Sequence, residues 1–130
     1  MDGQLQHYEK KLAYEIDSAD LQAALTAGKN ILPIDARSAS AYQAEHLPGA
    51  ISIPHRSMTE ESTRHLHKYD LIVTYCDGIG CNASTKAALN MTRLGFRVKE
   101  LIGGLDWWKR DGYPTVSDAI DSESSECGCN

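Results

Sequence analysis

A cysteine set between an apolar, β-branched run and a short glycine loop that opens a helix constrains this chain more than any other feature. The stretch is Leu71-Ile72-Val73-Thr74-Tyr75-Cys76-Asp77-Gly78-Ile79-Gly80-Cys81-Asn82-Ala83-Ser84. Leu71–Tyr75, bounded by Asp70 and Gly78, predicts a buried strand. From Ala83 the apolar positions Ala83, Ala87, Ala88, Met91 and Leu94 share one helical face, and Gly95 stops the helix. Successive N–H groups in a tight loop, together with the unpaired N–H groups of a helix start, stabilise an anion. Such a cradle, built here from the backbone of Asp77, Gly78, Ile79, Gly80, Cys81 and Asn82, lowers the pKa of the Cys76 thiol. It also holds a thiolate, or an anionic group carried on the sulfur. Gly78 and Gly80 are expected to supply positive φ and close backbone approach.

The rest of the chain arranges itself around that strand. Residues 1–11 read as a polar arm or frayed helix, and Leu12–Ile16, with alternating apolar positions, as a short strand. Asp17 or Ser18 caps a helix that runs through Ala27 and ends at Gly28. Ile31–Asp35 is a strand in which Pro33 cannot donate to a ladder, so an irregular or unpaired side is expected there. A short helix over Ser38–Ala44, a turn at His46-Leu47-Pro48-Gly49 and a strand over Ala50–Ile53 follow. Thr59–His67 reads as a polar surface helix, Phe96–Leu101 as a strand, and Leu105–Arg110 as a short helix. Residues 116–130 are acidic and serine-rich and read as a disordered tail. Strands alternating with helices predict an α/β sandwich with a mainly parallel sheet, in which ligands bind beyond the carboxyl ends of the strands. Cys76 stands at that end of a central strand.

Composition narrows the chemistry. The chain has 130 residues, enough for one domain, and a net charge of -5 with no basic run. Nucleic acid and anionic membrane are therefore not expected partners. The polar start lacks a signal-peptide core, and no apolar run approaches the ~20 residues that span a bilayer. A cytoplasmic protein is expected, so the four cysteines, Cys76, Cys81, Cys127 and Cys129, begin as thiols with catalytic, redox or metal roles open to them. A C-x4-C pair with a remote C-x-C fits zinc poorly, and no metal or organic cofactor is expected.

Three stretches together resemble the single-domain rhodanese family. They are Ile34-Asp35-Ala36-Arg37-Ser38 followed by His46-Leu47-Pro48-Gly49-Ala50-Ile51; Tyr75-Cys76 with its loop and the helix start Ser84-Thr85-Lys86-Ala87-Ala88; and Gly103-Gly104-Leu105-Asp106-Trp107-Trp108 followed by Gly112-Tyr113-Pro114. They cover roughly residues 12–115. The longer C-x4-C loop looks like that of a subgroup. The resemblance implies a rhodanese-like three-layer sandwich, with a mainly parallel central sheet flanked by helices. It also implies a sulfurtransferase in which Cys76 takes the outer sulfur of thiosulfate or a persulfide. The resulting persulfide would pass that sulfur to cyanide or a thiol. Donor and acceptor are then small molecules or protein thiols. By the same resemblance Asp35, Arg37 and Ser84 support the loop, and Trp107 or Trp108 lines the approach to Cys76.

The loop carries no Lys or Arg, and Asp77 places a carboxylate beside the cysteine, so a dianionic donor is expected to be repelled. Cys81 reads either as a resolving thiol that closes a disulfide with Cys76 or as a filler packed under the helix. Cys127 and Cys129 read as exposed tail thiols or as a sulfur relay. Two further functions stand beside sulfur transfer. One is a redox-sensing module cycling Cys76 and Cys81 between dithiol and disulfide. The other is a cysteine phosphatase, which Asn82 and Ala83 disfavour because they occupy the place where a phosphate-binding arginine is needed.

Overall fold

The computed structural model describes residues 2–118; the tail thiols Cys127 and Cys129 lie outside the described residues. The elements are α1 (Asp2–Tyr14), β1 (Glu15–Ile16), α2 (Ser18–Thr26), β2 (Ile31–Asp35), α3 (Ala39–Ala44), β3 (Ile51–Ser52), α4 (Glu60–Thr63), β4 (Leu71–Tyr75), α5 (Ala83–Arg93), β5 (Val98–Leu101) and α6 (Gly104–Arg110), with 3-10 turns at His55–Ser57 and Arg64–Leu66. The strands form one sheet in the order β1-β5-β4-β2-β3, and every pairing between them is parallel.

β4 lies at the centre because it is almost wholly apolar and is buried on both faces. Its side chains alternate between two cores. Ile72 and Cys76 join Leu32, Ile34, Ala83, Ala87 and Met91 on the face covered by α5. Val73 and Tyr75 join Leu21, Leu47, Leu105 and Trp108 on the face covered by α2 and α6. These two cores are what make three layers. Pro33 fits β2 because β3 pairs only with Ile34 and Asp35, leaving β2 without a strand neighbour on that side where the missing N–H would be needed.

Local signals place most boundaries. The Asp17 side chain accepts from the Asp20 N–H to cap α2, and Ser38 caps α3 through the Ala41 N–H. Thr59 and Ser62 exchange hydrogen bonds as a capping box at α4. Two expectations are corrected. Leu12–Tyr14 belong to α1 rather than to a strand, because β5 offers partners only to Glu15 and Ile16. The 59–67 segment is not wholly superficial, since Thr63 and Leu66 are buried and Leu66 enters the core under α5. α1 itself buries no residue. Among the described residues no helix is long and apolar enough to cross a membrane.

Candidate functional site

Cys76 is the first residue beyond the carboxyl end of β4 and lines a cleft of about 520 Å³. Its side chain follows the alternation of β4 onto the α5 face. The loop returns Cys81 to it, and the two sulfurs form a disulfide with a Cα–Cα separation of 6.3 Å. In this oxidised form Cys76 is 1 % exposed. The Cys81 N–H donates to the Gly78 carbonyl at 3.2 Å, so that amide is engaged by the loop itself. Asn82 immediately precedes α5 and makes no side-chain cap. Ile79 stands at the loop tip, 83 % exposed.

Gly78 and Gly80 do not adopt the positive φ expected of them; among the described glycines that conformation belongs to others, Gly103 and Gly104 included. Gly78 serves close approach instead, because a Cβ there would come within 3.3 Å of the Asp106 Cβ. The matching surface is the start of α6. Leu105 N–H donates to the Cys76 carbonyl at 2.9 Å, and Asp106 N–H donates to the Asp77 carbonyl at 2.7 Å. A Cβ on Gly104 would collide with the Cys76 carbonyl. The glycine pair of the third motif is therefore the bed on which the cysteine loop rests.

Asp35 and Arg37 hold the loop from the opposite side. Arg37 donates to Asp35 through Nε at 3.0 Å and Nη2 at 2.6 Å, and through Nη1 to Asp77 at 2.9 Å. It also reaches the carbonyls of Ala41 and Glu45. Burial alone would lower the pKa of Arg37, but the hydrogen bond and charge of Asp35, with the hydrogen bond to Asp77, raise it well above its ordinary value. The buried Tyr75 hydroxyl donates to Asp35 at 2.9 Å and accepts from the Leu47 N–H. Burial, with the Asp35 charge beside it, pushes that phenol far up, so it stays protonated.

The two tryptophans take different places. Trp108 is fully buried in the α2–α6 core, with Nε1 donating to the Pro114 carbonyl. Trp107 is 46 % exposed, beside the Arg110 guanidinium. Neither lines the cleft, whose wall at this point is Gly103 and Gly104. Ser84 does line it: its hydroxyl donates to Glu100 at 3.1 Å, and its carbonyl accepts from Thr74 at 3.0 Å. Sequence reasoning missed Glu100, Thr85 and Glu15 as parts of the cleft. The parallel alternation could have found Glu100, since it lies near the carboxyl end of a strand next to β4. Nothing local marks Glu15.

Residues 17–111 match the family described as Rhodanese-like domain. The chain is 34 % identical over 99 residues to the HTH-type transcriptional regulator Rv0324 of Mycobacterium tuberculosis, an alignment covering 76 % of this chain and 43 % of that protein. The chain thus spans less than half the length of this curated relative. The crystal structure of BH2092 protein from Bacillus halodurans superposes with a TM-score of 0.85 at 44 % identity, over 90 % of this chain and 86 % of that one. The fold is also that of a thiosulfate sulfurtransferase from Pseudomonas aeruginosa, with a TM-score of 0.69 at 23 % identity over 83 % of this chain and 20 % of that one.

Proposed function

Because this chain belongs to the rhodanese-like domain family, we propose that it is a sulfurtransferase working through a persulfide on Cys76. The observation that carries this reading is the place of Cys76. It stands just beyond the carboxyl end of the central strand, lining a cleft, on a loop that leads into α5. In the first step the Cys76 thiolate attacks the outer sulfur of a donor. The donor's S–S bond breaks, and its electron pair leaves on sulfite from thiosulfate or on a thiolate from a persulfide. In the second step a nucleophilic acceptor, cyanide or a thiolate, attacks the outer sulfur of the Cys76 persulfide. The electron pair of that S–S bond returns to Cys76. Once the Cys76–Cys81 bond is reduced, the loop amides between Asp77 and Asn82, apart from that of Cys81, are the groups nearest in sequence to hold the anionic persulfide. Donor and acceptor are small molecules or protein thiols. A reducing compartment such as the cytoplasm keeps both cysteines as thiols between turnovers.

A second reading is favoured by the disulfide itself. Here Cys81 attacks Cys76 Sγ of the persulfide, hydrosulfide leaves with the bonding pair, and the Cys76–Cys81 disulfide remains until a thiol reductant opens it. A protein used this way reports sulfur or oxidant rather than passing sulfur on. Likeness to part of a protein named as a transcriptional regulator supports such a controlling role. A phosphatase reading has little support, because no Lys or Arg among the described residues lines the cleft.

Intact mass of the reduced protein after incubation with thiosulfate, and separately with glutathione persulfide, tests both readings. Sulfur transfer requires a gain of one sulfur atom that cyanide removes and that Cys76→Ser abolishes while Cys81→Ser retains it. Loss of two hydrogens in the wild type, with the added sulfur kept only by Cys81→Ser, would favour the sensing cycle, and no sulfur on either protein would rule out transfer.

A further inference from the structure

On the reading that Cys76 carries and passes a persulfide, we propose that the cleft selects sulfur carriers by charge, with Glu100 as the residue that disfavours anionic donors and acceptors. The favoured partners are thiols and persulfides that are neutral or cationic around the reacting sulfur.

The placement of charge argues for this. Two carboxylates line the cleft, Glu100 and Glu15, and among the described residues no Lys or Arg lines it. Glu100 lies opposite Thr74, two positions before Cys76 on the neighbouring strand. Its Oε2 accepts from the Ser84 hydroxyl at 3.1 Å and from the Thr85 hydroxyl at 2.7 Å. Both hydroxyls belong to the first turn of α5, so the carboxylate is fixed at the wall where β5 meets that helix. Glu15 is the weaker contributor because Lys11 pairs with it at 2.9 Å.

The carboxylate beside the cysteine is a lesser source of repulsion. Asp77 is bound by Arg37, and neither side chain lines the cleft. Arg37 is itself shared with Asp35, so this trio adds no surplus positive charge. An approaching carboxylate or sulfonate therefore meets an unbalanced negative wall, and an ammonium meets a favourable one. Low-dielectric cleft walls strengthen that difference.

Matched acceptors test the proposal. The reduced protein is loaded with one sulfur on Cys76, confirmed by mass, and transfer is timed to cysteamine, mercaptoethanol and mercaptoacetate in the wild type and in Glu100→Gln. Comparing each thiol with itself across the two proteins cancels its intrinsic nucleophilicity. The mercaptoacetate-to-cysteamine rate ratio is expected to rise about tenfold in the variant. In the wild type, added salt should speed mercaptoacetate and slow cysteamine. Normal loading with an unchanged ratio overturns charge selection and leaves sulfur transfer standing. Failure to load at all overturns both. If Glu100→Gln does not fold, the wild-type salt slopes decide: opposite signs support the proposal, and equal signs overturn it.

Discussion

The Arg37 guanidinium donates to the Asp77 carboxylate at 2.9 Å, joining the end of β2 to the residue that follows Cys76. The contact turns the acidic neighbour of the cysteine into part of a buried clamp. Arg37 is nearly sealed from solvent and grips Asp35 with a two-pronged hydrogen bond, while Asp77 remains 30 % exposed. Removing the guanidinium strands the buried Asp35 charge, so Arg37→Ala should cost about 3–5 kcal/mol of unfolding free energy. Arg37→Lys should also be destabilised, because an ammonium cannot span both carboxylates in one plane. Asp77→Asn should cost no more than about 1 kcal/mol. Urea unfolding of the three variants measures this order, and an Asp77→Asn cost equal to that of Arg37→Ala would contradict it.

The bed beneath the cysteine loop makes a second demand. Gly104 has φ of 57° and its Cα faces the Cys76 carbonyl, with no room for a methyl group. Gly104→Ala should lose at least about 2 kcal/mol of stability from left-handed strain and the forced shift of the loop. Gly80→Ala is the contrasting control, because a Cβ there meets nothing within 4 Å and φ is not in the left-handed region. Its cost should stay near or below about 0.5 kcal/mol. Thermal unfolding of the two variants side by side would expose an error if Gly80→Ala proved the worse.

What could be read from the chain alone follows from how local each cause is. β4 is legible because five apolar or β-branched residues lie between an aspartate and a glycine loop, and its placement puts Cys76 at a carboxyl end without further information. The α1–β1 boundary is not, because the alternation in Leu12–Ile16 suits a strand while only β5, far away in sequence, fixes where pairing begins. Gly78 shows the same limit. Glycine announces that something unusual happens but does not say whether it is φ or close approach, and only the position of Asp106 settles the matter. Glu100 reads as an ordinary alternating strand residue until the parallel register with Thr74 brings it to the cleft.

If Cys76 works as proposed, the disulfide makes sulfur uptake conditional on redox state. A sulfur held in the Cys76–Cys81 bond has no thiolate to attack a donor. Oxidised protein should therefore gain no sulfur from thiosulfate, and whatever uptake the reduced protein shows should return after treatment with dithiothreitol. Cys81→Ser should take up sulfur without prior reduction, since it cannot close the loop. Intact mass with and without the reductant reads both outcomes, and uptake by the oxidised wild type would show that the bond does not control the site.

A last prediction concerns acid. Glu45 accepts from Lys109 at 2.8 Å and from Thr115 at 2.7 Å, tying α6 and the segment after it to the end of α3. Burial alone would push the Glu45 carboxyl up, but the hydrogen bonds from Lys109 and Thr115, with the lysine charge, hold it below its ordinary value of 4.5. The folded protein therefore binds this proton less readily than the unfolded chain. The stabilisation is fully present above the unfolded value and is lost as pH falls through the lowered folded one. Because the side chain is 34 % exposed and its lysine partner half-exposed, solvent screening limits the contribution to under about 1 kcal/mol. Glu45→Gln should be less stable than the wild type at neutral pH, and the gap should close once the pH has fallen through the lowered folded value. Urea unfolding at the two pH values distinguishes this from a packing defect, which would leave the same gap at both.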